Sequence, residues 1–235
     1  MPADLTDARR WTRVGTTLFL AEADLDEAAL GAPSALPGWT RRHLLAHVAA
    51  NAGALGNLVH WAATGEPTPM YSSPDARAAG IERGALLPAD ELGAWLRRSA
   101  QTLDDAMTAL SDEQWQAPVL TAQGRTVPAT EVPWLRAREV YVHGVDLATG
   151  LSFAELPAGF CAALCDDVIA KRRSAPGPAM LLQAVDSGGQ WELPGRDEVV
   201  RLAGPLAEIT AYLTGRAHKL TTAGGEPAPA LGPWL

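Results

Sequence analysis

The sequence has little cysteine and no long apolar run. Its two cysteines, Cys161 and Cys165, are four residues apart in an apolar helical pattern. This spacing fits neither a CxxC metal motif nor a disulfide framework, so we expect buried free thiols in a reducing cytoplasm. No run of apolar residues is long enough to span a bilayer, and the N-terminal residues lack the apolar segment of a secretion signal. A soluble cytoplasmic protein is predicted.

The chain also lacks an excess of positive charge. Its formal net charge is −8 at pH 7, which argues against a nucleic-acid partner, because such surfaces need a basic stripe. An anionic substrate would therefore have to be bound by local arginines. The HExxH, GxSxG, Walker A and helix-opening GxGxxG motifs are absent as well. Any catalytic site must be found from the spacing of individual side chains.

One such spacing is that of Glu139 and His143, within a helix predicted over residues 134–147. The two side chains are four residues apart and lie on one face of this helix, and Asp146 joins the same face. A carboxylate and an imidazole at this spacing can bind one divalent metal ion, but two ligands do not hold a catalytic zinc. The alternative is an exposed helical Glu–His pair that binds nothing.

A third ligand could come from a helix predicted over residues 40–64. His47 on this helix could face the Glu–His pair, and two imidazoles with one carboxylate leave a coordination position open, as catalytic zinc sites do. Asp146 could accept the free ring N–H of a ligating histidine and fix its orientation. His43, on the same helix edge, is a rival ligand. The alternative for His47 is a core histidine bonded to a backbone carbonyl.

The helical patterns predict a mainly α protein. Four amphipathic helices are expected within the first 150 residues, over residues 3–30, 40–64, 88–110 and 134–147. They predict a four-helix bundle, an architecture that builds metal sites from facing helices. Residues 65–87 are expected to be a long crossover that shapes a site. Residues 151–235 mix helices with short strands and predict a small α+β domain.

Four stretches of the first 150 residues carry a resemblance to a known family. They occur in the family's order and spacing and read GWTRRHLLAHVAANAGALGNLVHWA, PMYSSPDAR, VLTAQGRTVPA and REVYVHGVDL. In these motifs the chain closely resembles the mycothiol-dependent maleylpyruvate isomerases, which belong to the DinB-like metal-binding bundles. The remainder is less similar, although a GR and a PWL element near the end also match. The resemblance implies a DinB-like four-helix bundle over residues 1–150.

The resemblance also implies a metal site and a reaction. Its metal ligands fall on His47, Glu139 and His143, which excludes His43, and they imply one zinc ion per chain. The implied enzyme is a cytoplasmic isomerase of gentisate breakdown that converts maleylpyruvate to fumarylpyruvate. Mycothiol is the implied cofactor, so the expected partners are two small molecules, with neither nucleic acid nor membrane.

The implied chemistry explains why a borrowed thiol is needed. A cis alkene becomes trans only if its double bond is single for a moment, and a thiolate that adds to the carbon conjugated with the ketone achieves this. The resulting enolate rotates and expels the thiolate. Metal coordination deprotonates a thiol outright. The chain's own cysteines lie in the second domain, so a thiol from outside the chain fits better.

Arginines are the groups expected to bind the charged substrate. The developing enolate needs donors, the substrate carries two carboxylates, and the arginine fork suits both. Arg216 matches the family's GR element, and the resemblance implies that it is catalytic and that the domain over residues 151–235 completes the active site. The alternative is a surface arginine near a helix C-terminus. Arg77 and Arg125 lie in matching segments and are weaker candidates.

Two other functions stay open at this point. One is a mycothiol S-transferase on the same bundle, with the same metal ligands and another substrate pocket. The other is a non-catalytic metal-binding stress protein whose second domain recruits a partner. The segments PMYSSPDAR and TAQGRTVP favour the isomerase over both.

Overall fold

A computed structural model describes residues 4–173, 177–232 and 234 of the chain. The chain forms two compact units, one that ends at Leu151 and one that begins at Ser152. The first unit contains the helices α1 (Leu5–Glu22), α2 (Glu27–Leu30), α3 (Arg41–Thr64), α4 (Pro74–Ala85), α5 (Ala89–Thr108), α6 (Asp112–Trp115) and α7 (Val132–Asp146) and the strands β1 (Pro118–Leu120) and β2 (Thr126–Pro128). A 3₁₀ turn, Ala129–Glu131, leads into α7.

The four long helices of the first unit form the predicted four-helix bundle. α1 packs on α7, and α3 packs on both α5 and α7. Their apolar faces meet in an interior that includes Phe19, Leu44, Leu55, Leu96 and Val140, each at most 2% exposed. α3 is buried along most of its length because it has neighbours on several sides. This position brings its polar residue His47 into the interior.

The first predicted helix, over residues 3–30, is interrupted over residues 23–26. α1 ends at Glu22, and the chain turns before the short helix α2. The Asp26 side chain accepts a hydrogen bond from the backbone N–H of Ala29 at 2.8 Å, and it thereby caps the start of α2. Aspartate is a good N-cap because its side chain satisfies an N–H that has no partner within the helix. The aspartates after α1 therefore signal a break that the apolar periodicity hides.

The predicted crossover over residues 65–87 also contains a helix, α4. Ser73 accepts from the N–H of Ala76 at 3.0 Å and caps it, and Pro74 occupies its first turn. α4 packs closely on α3, and a Cβ at Gly84 would lie 2.8 Å from Cβ of Ala46. Only glycine permits this approach without displacement of the helices. The polar composition of the segment concealed a helix that lies over the N-terminal half of α3, at Ala46 and His47.

The second unit is α+β, as predicted. It contains a 3₁₀ turn (Phe153–Glu155), the helices α8 (Ala158–Arg172) and α9 (Leu206–Leu213) and the strands β3 (Pro178–Ala184), β4 (Gln190–Leu193) and β5 (Arg196–Gly204). The strand order is β4-β3-β5, with β4 antiparallel and β5 parallel to β3. Between β4 and β5 the chain passes the start of β3 at Gly195, where a Cβ would lie 2.3 Å from the carbonyl carbon of Pro178.

Both cysteines of the second unit are buried free thiols, as predicted. They lie on α8, which packs on α9. The Sγ of Cys165 is 3.4 Å from the hydroxyl oxygen of Thr210 on α9. Among the described residues, no helix is both long enough and apolar enough to cross a membrane.

Candidate metal centre

The three predicted ligands come together between α3 and α7. His47 projects from α3, and Glu139 and His143 project from successive turns of α7. Oε2 of Glu139 is 2.9 Å from Nε2 of His47 and 3.4 Å from Nε2 of His143. One ligand atom from each residue lies within 4.8 Å of the other two. Two imidazole nitrogens and one carboxylate oxygen therefore converge on one point.

Burial and hydrogen bonds together shift the pKa values of the three residues in different directions. Burial alone would raise the pKa of Glu139, but hydrogen bonds from His143 and His47 outweigh it and hold this pKa well below its usual range. Burial would lower the pKa of His143, but its bonds to Asp146 and Glu139 raise it to about 9. Burial lowers the pKa of His47, and its bond to Glu139 does not compensate. Without metal, His143 is therefore an imidazolium cation at neutral pH, and it lies beside the ionised carboxylate of Glu139.

Asp146 occupies the position expected of a partner for a ligating histidine. Its Oδ2 lies 2.9 Å from Nδ1 of His143, and the residue is fully buried at the end of α7. A carboxylate on Nδ1 fixes the ring so that Nε2 faces Glu139 and the open point of the cluster. Such partners orient metal-binding histidines and raise their basicity.

His43, the rival ligand, is used in another way. Its Nδ1 accepts from the backbone N–H of Thr40 at 3.2 Å and lies 2.8 Å from the Thr40 hydroxyl oxygen. This reciprocal contact is a capping box that closes the start of α3, with histidine where glutamate is usual. The Nε2 of His43 lies 3.7 Å from a carboxylate oxygen of Glu82. The capping role of His43 leaves His47 as the α3 histidine of the cluster.

Arg136 is a charged neighbour of the cluster that the sequence analysis missed. It is 1% exposed, and its Nη1 donates to the carbonyl oxygen of Val48 at 2.7 Å and to Oδ1 of Asn51 at 3.0 Å. Burial lowers its pKa to about 10, so it remains a cation at neutral pH. Its position three residues before Glu139 puts it on the same helix face. The three-residue spacing between Arg136 and Glu139 is the feature of the sequence from which this neighbour could have been predicted.

Arg77 and Tyr71 approach the cluster from the segment that was predicted to be a crossover. Nη2 of Arg77 lies 3.3 Å from Nδ1 of His47. The guanidinium carbon of Arg77 is 5.9 Å from the centre of the Tyr71 ring. Arg77 is thus the half-exposed arginine in contact with a predicted ligand, and α4 is the element that places it there.

The other predicted arginines lie elsewhere. Arg216 belongs to the second unit, just after α9, where Gly215 takes a positive φ of 73°. Its backbone N–H donates to the carbonyl of Ala211 at 2.8 Å, and its Nη1 donates to the carbonyl of Thr214 at 2.5 Å. These bonds tie Arg216 to the end of a helix, and its catalytic role stays a prediction. Arg125 is exposed in the turn between β1 and β2.

The family model described as the mycothiol maleylpyruvate isomerase N-terminal domain matches residues 9–148. The matched range holds all three residues of the candidate metal centre together with Asp146, Arg136 and Arg77. The chain belongs to this family. No match is found among the curated proteins.

Solved structures extend the family likeness to the second unit. A crystal structure of the mycothiol-dependent maleylpyruvate isomerase matches with a TM-score of 0.93 and 39% identity, over 99% of this chain and 98% of that chain. A mutant of that isomerase matches equally well. YfiT from Bacillus subtilis, which has an unusual four-helix bundle topology, matches at a TM-score of 0.52 and 17% identity over 62% of this chain and 86% of its own. The likeness to YfiT concerns the fold alone.

Proposed function

We propose that this chain is a mycothiol-dependent maleylpyruvate isomerase that forms fumarylpyruvate. The observation that carries the proposal is the near full-length likeness, at 39% identity, to an isomerase of that name. Zinc as the bound ion, gentisate breakdown as the pathway and the cytoplasm as the location belong to the same proposal. The cluster of His47, Glu139 and His143 supports it because one ligand atom from each residue lies close enough to the other two to bind a single metal ion.

The donor set fits a catalytic zinc ion. Two imidazoles and one carboxylate are a common ligand set for such ions and leave a position for an exchangeable group. Asp146 supplies the hydrogen-bond acceptor that a ligating His143 needs on its second ring nitrogen. A bound ion would hold the mycothiol sulfur as a thiolate, which can then add reversibly to the substrate double bond. One ion per chain is expected.

The chain's own residues prepare this site for an anionic reaction. Arg136 provides a buried positive charge near Glu139 and fixes the Val48 carbonyl and the Asn51 side chain of α3 relative to α7. Asp146 holds the orientation of His143. We propose Arg216 as the donor that stabilises negative charge on the substrate as it reacts, since a guanidinium fork matches a carboxylate or an enolate oxygen.

Neither cysteine of the chain is suited to be the nucleophile. Burial raises the pKa of Cys161 to about 11 and that of Cys165 to about 12, so both are thiols at neutral pH. Both are at most 2% exposed within the second unit. A thiol group must be ionised and accessible to add to a substrate. A thiol from outside the chain meets this need.

The test is an assay of the zinc-loaded protein with maleylpyruvate, with and without mycothiol. We expect the maleylpyruvate absorbance to fall only when mycothiol is present, with fumarylpyruvate as the product and the free thiol concentration unchanged at the end. Thiol consumption in step with substrate would instead identify an S-transferase. An absence of any turnover in the presence of zinc and mycothiol would contradict both enzymes and favour a metal-binding protein without catalysis.

A further inference from the structure

The two histidines of the candidate metal centre have opposite neighbours on their second ring nitrogen. Nδ1 of His143 faces the carboxylate of Asp146 at 2.9 Å, whereas Nδ1 of His47 faces the guanidinium of Arg77 at 3.3 Å. A guanidinium has only donors. Nδ1 of His47 must therefore accept in this arrangement, and the ring proton lies on Nε2. That proton points at Oε2 of Glu139, 2.9 Å away, which accepts it.

A metal ion on His47 requires the reverse arrangement. The ion takes the lone pair of Nε2, so the ring proton moves to Nδ1. Nδ1 then becomes a donor that faces the donors of Arg77, and a divalent ion adds charge repulsion across the ring. His143 meets no such conflict, because Asp146 accepts a proton on Nδ1 whether or not metal is bound. The Arg77–His47 contact and a bound metal ion therefore exclude each other.

The arginine that leaves His47 has few other partners. Among the described residues, no carboxylate lies within ion-pair distance of Arg77, and its other partner is Tyr71, through the ring and a side-chain hydrogen bond. The side chain is half-exposed on α4, so it can turn without unpacking the helix. An anion at the open side of the metal centre is the partner that its charge and planar fork fit best.

We propose that metal loading frees Arg77 from His47 and makes it the guanidinium that binds a carboxylate of the substrate. The inference rests on the proposed function for the identity of that substrate, a dianionic maleylpyruvate. The exclusion between Arg77 and the metal does not depend on it.

The first test measures zinc affinity of the metal-free protein by competition with a chromogenic chelator. Arg77→Met keeps an unbranched, flexible side chain and removes the donors and the charge. We expect it to bind zinc roughly tenfold more tightly than the parent, the scale of one charge-assisted hydrogen bond. Arg83→Met is the matched control, since Arg83 is an exposed arginine on the same helix, and its affinity should match that of the parent. Unchanged or weaker zinc binding by Arg77→Met would overturn the exclusion.

The second test measures the affinity of the zinc-loaded proteins for maleate, a dicarboxylate probe, by calorimetry. Arg77→Met should bind maleate about tenfold more weakly than the parent, while Arg83→Met should not differ. With maleylpyruvate, the same variant should raise KM more than it lowers kcat. Equal maleate binding by Arg77→Met and the parent would overturn the carboxylate role. Because zinc and maleate binding are measured without turnover, a failure of the isomerase proposal alone would leave both results interpretable.

Discussion

The two units bury ionisable groups with opposite consequences. In the second unit, the sulfur atoms of Cys161 and Cys165 contact the Phe153 carbonyl and the Thr210 hydroxyl, and burial keeps both thiols protonated. In the first unit, Glu139 is also buried, but two histidines bond to it and keep it ionised. Burial alone favours the neutral form, and only specific partners preserve charge in a protein interior. The polar cluster is therefore the place where metal and acid–base chemistry are available.

The largest expected effect comes from removal of a ligand from that cluster. His47→Ala or His143→Ala should weaken zinc binding by more than about a hundredfold, since loss of a partner of a ligand alone typically costs about 10–100-fold. Activity should fall with the zinc content, because the thiolate would no longer be held. Metal analysis of the purified variants and the mycothiol-dependent assay measure both.

The control for ligand removal is His60→Ala, a change at an exposed histidine of the same helix α3. It should keep full zinc content and activity. The far-ultraviolet circular dichroism of all variants should show an intact bundle. Near-normal zinc content in both His47→Ala and His143→Ala would reject these residues as ligands. Metal binding at this cluster would then no longer distinguish the first unit from the second.

A substitution at Arg216 tests whether the second unit contributes a polar group to catalysis. Arg216→Ala should lower kcat by about 10²-fold or more, the scale seen when one preorganised oxyanion donor is removed. Arg216→Lys should also be impaired, because it keeps the charge but loses the planar fork. Zinc content should not change, because none of the three proposed ligands lies in that unit.

Arg201→Ala is the matched control, since Arg201 is an exposed arginine of β5 in the same unit. It should turn over maleylpyruvate like the parent. If Arg216→Ala does so as well, with full zinc, then Arg216 serves only the end of α9. All the polar groups assigned to catalysis would then lie in the first unit.

Zinc affinity should also depend on pH in a way that the partners of His143 determine. The pKa of His143 is about 9 in the metal-free chain, so below that pH zinc must displace its proton. We expect affinity to fall about tenfold for each pH unit below about 9, which is the behaviour of a single displaced proton. Chelator competition at several pH values measures the slope.

Asp146→Asn should reduce this slope at neutral pH, because the Asp146 carboxylate is a main cause of the raised pKa. It should also weaken zinc binding at pH 9 by about tenfold, since an amide orients the ring less strongly. An equal slope in Asp146→Asn and the parent would mean that other groups hold the proton. The charge on His143 would then depend less on its bond to Asp146 than the contrast with the buried cysteines indicates.

The sequence was most informative for residues that lie three or four positions apart on one helix. Glu139, His143 and Asp146 are three or four residues apart, so their common face follows from helix geometry alone. His47 required more, since the packing of α3 on α7 involves residues about 90 positions apart and periodicity carries no information on such pairs. The family resemblance supplied that choice, and the structure supports it with the capping role of His43.

Helix boundaries and the arginines were less predictable. The break after α1 depends on one capping aspartate, and α4 depends on Ser73 and Pro74 within a segment of polar composition. Arg136 and Arg77 look alike in the sequence, yet one is buried in the bundle and the other is half-exposed over His47. Neither environment follows from local spacing, because both depend on how helices pack.

The smallest expected effect is that of the buried thiols on activity. The double variant Cys161→Ser, Cys165→Ser should keep kcat within about twofold, because thiols with pKa values of about 11 and about 12 supply almost no thiolate at neutral pH. Its melting temperature should fall slightly, since two hydroxyls are buried in place of sulfur, although the hydroxyl at 165 can bond to Thr210. Kinetics at saturating mycothiol and thermal unfolding separate these effects. A double variant that is folded and zinc-loaded but inactive would show that a thiol of the chain takes part in the reaction. The mechanism in which mycothiol supplies the only thiolate would then be wrong.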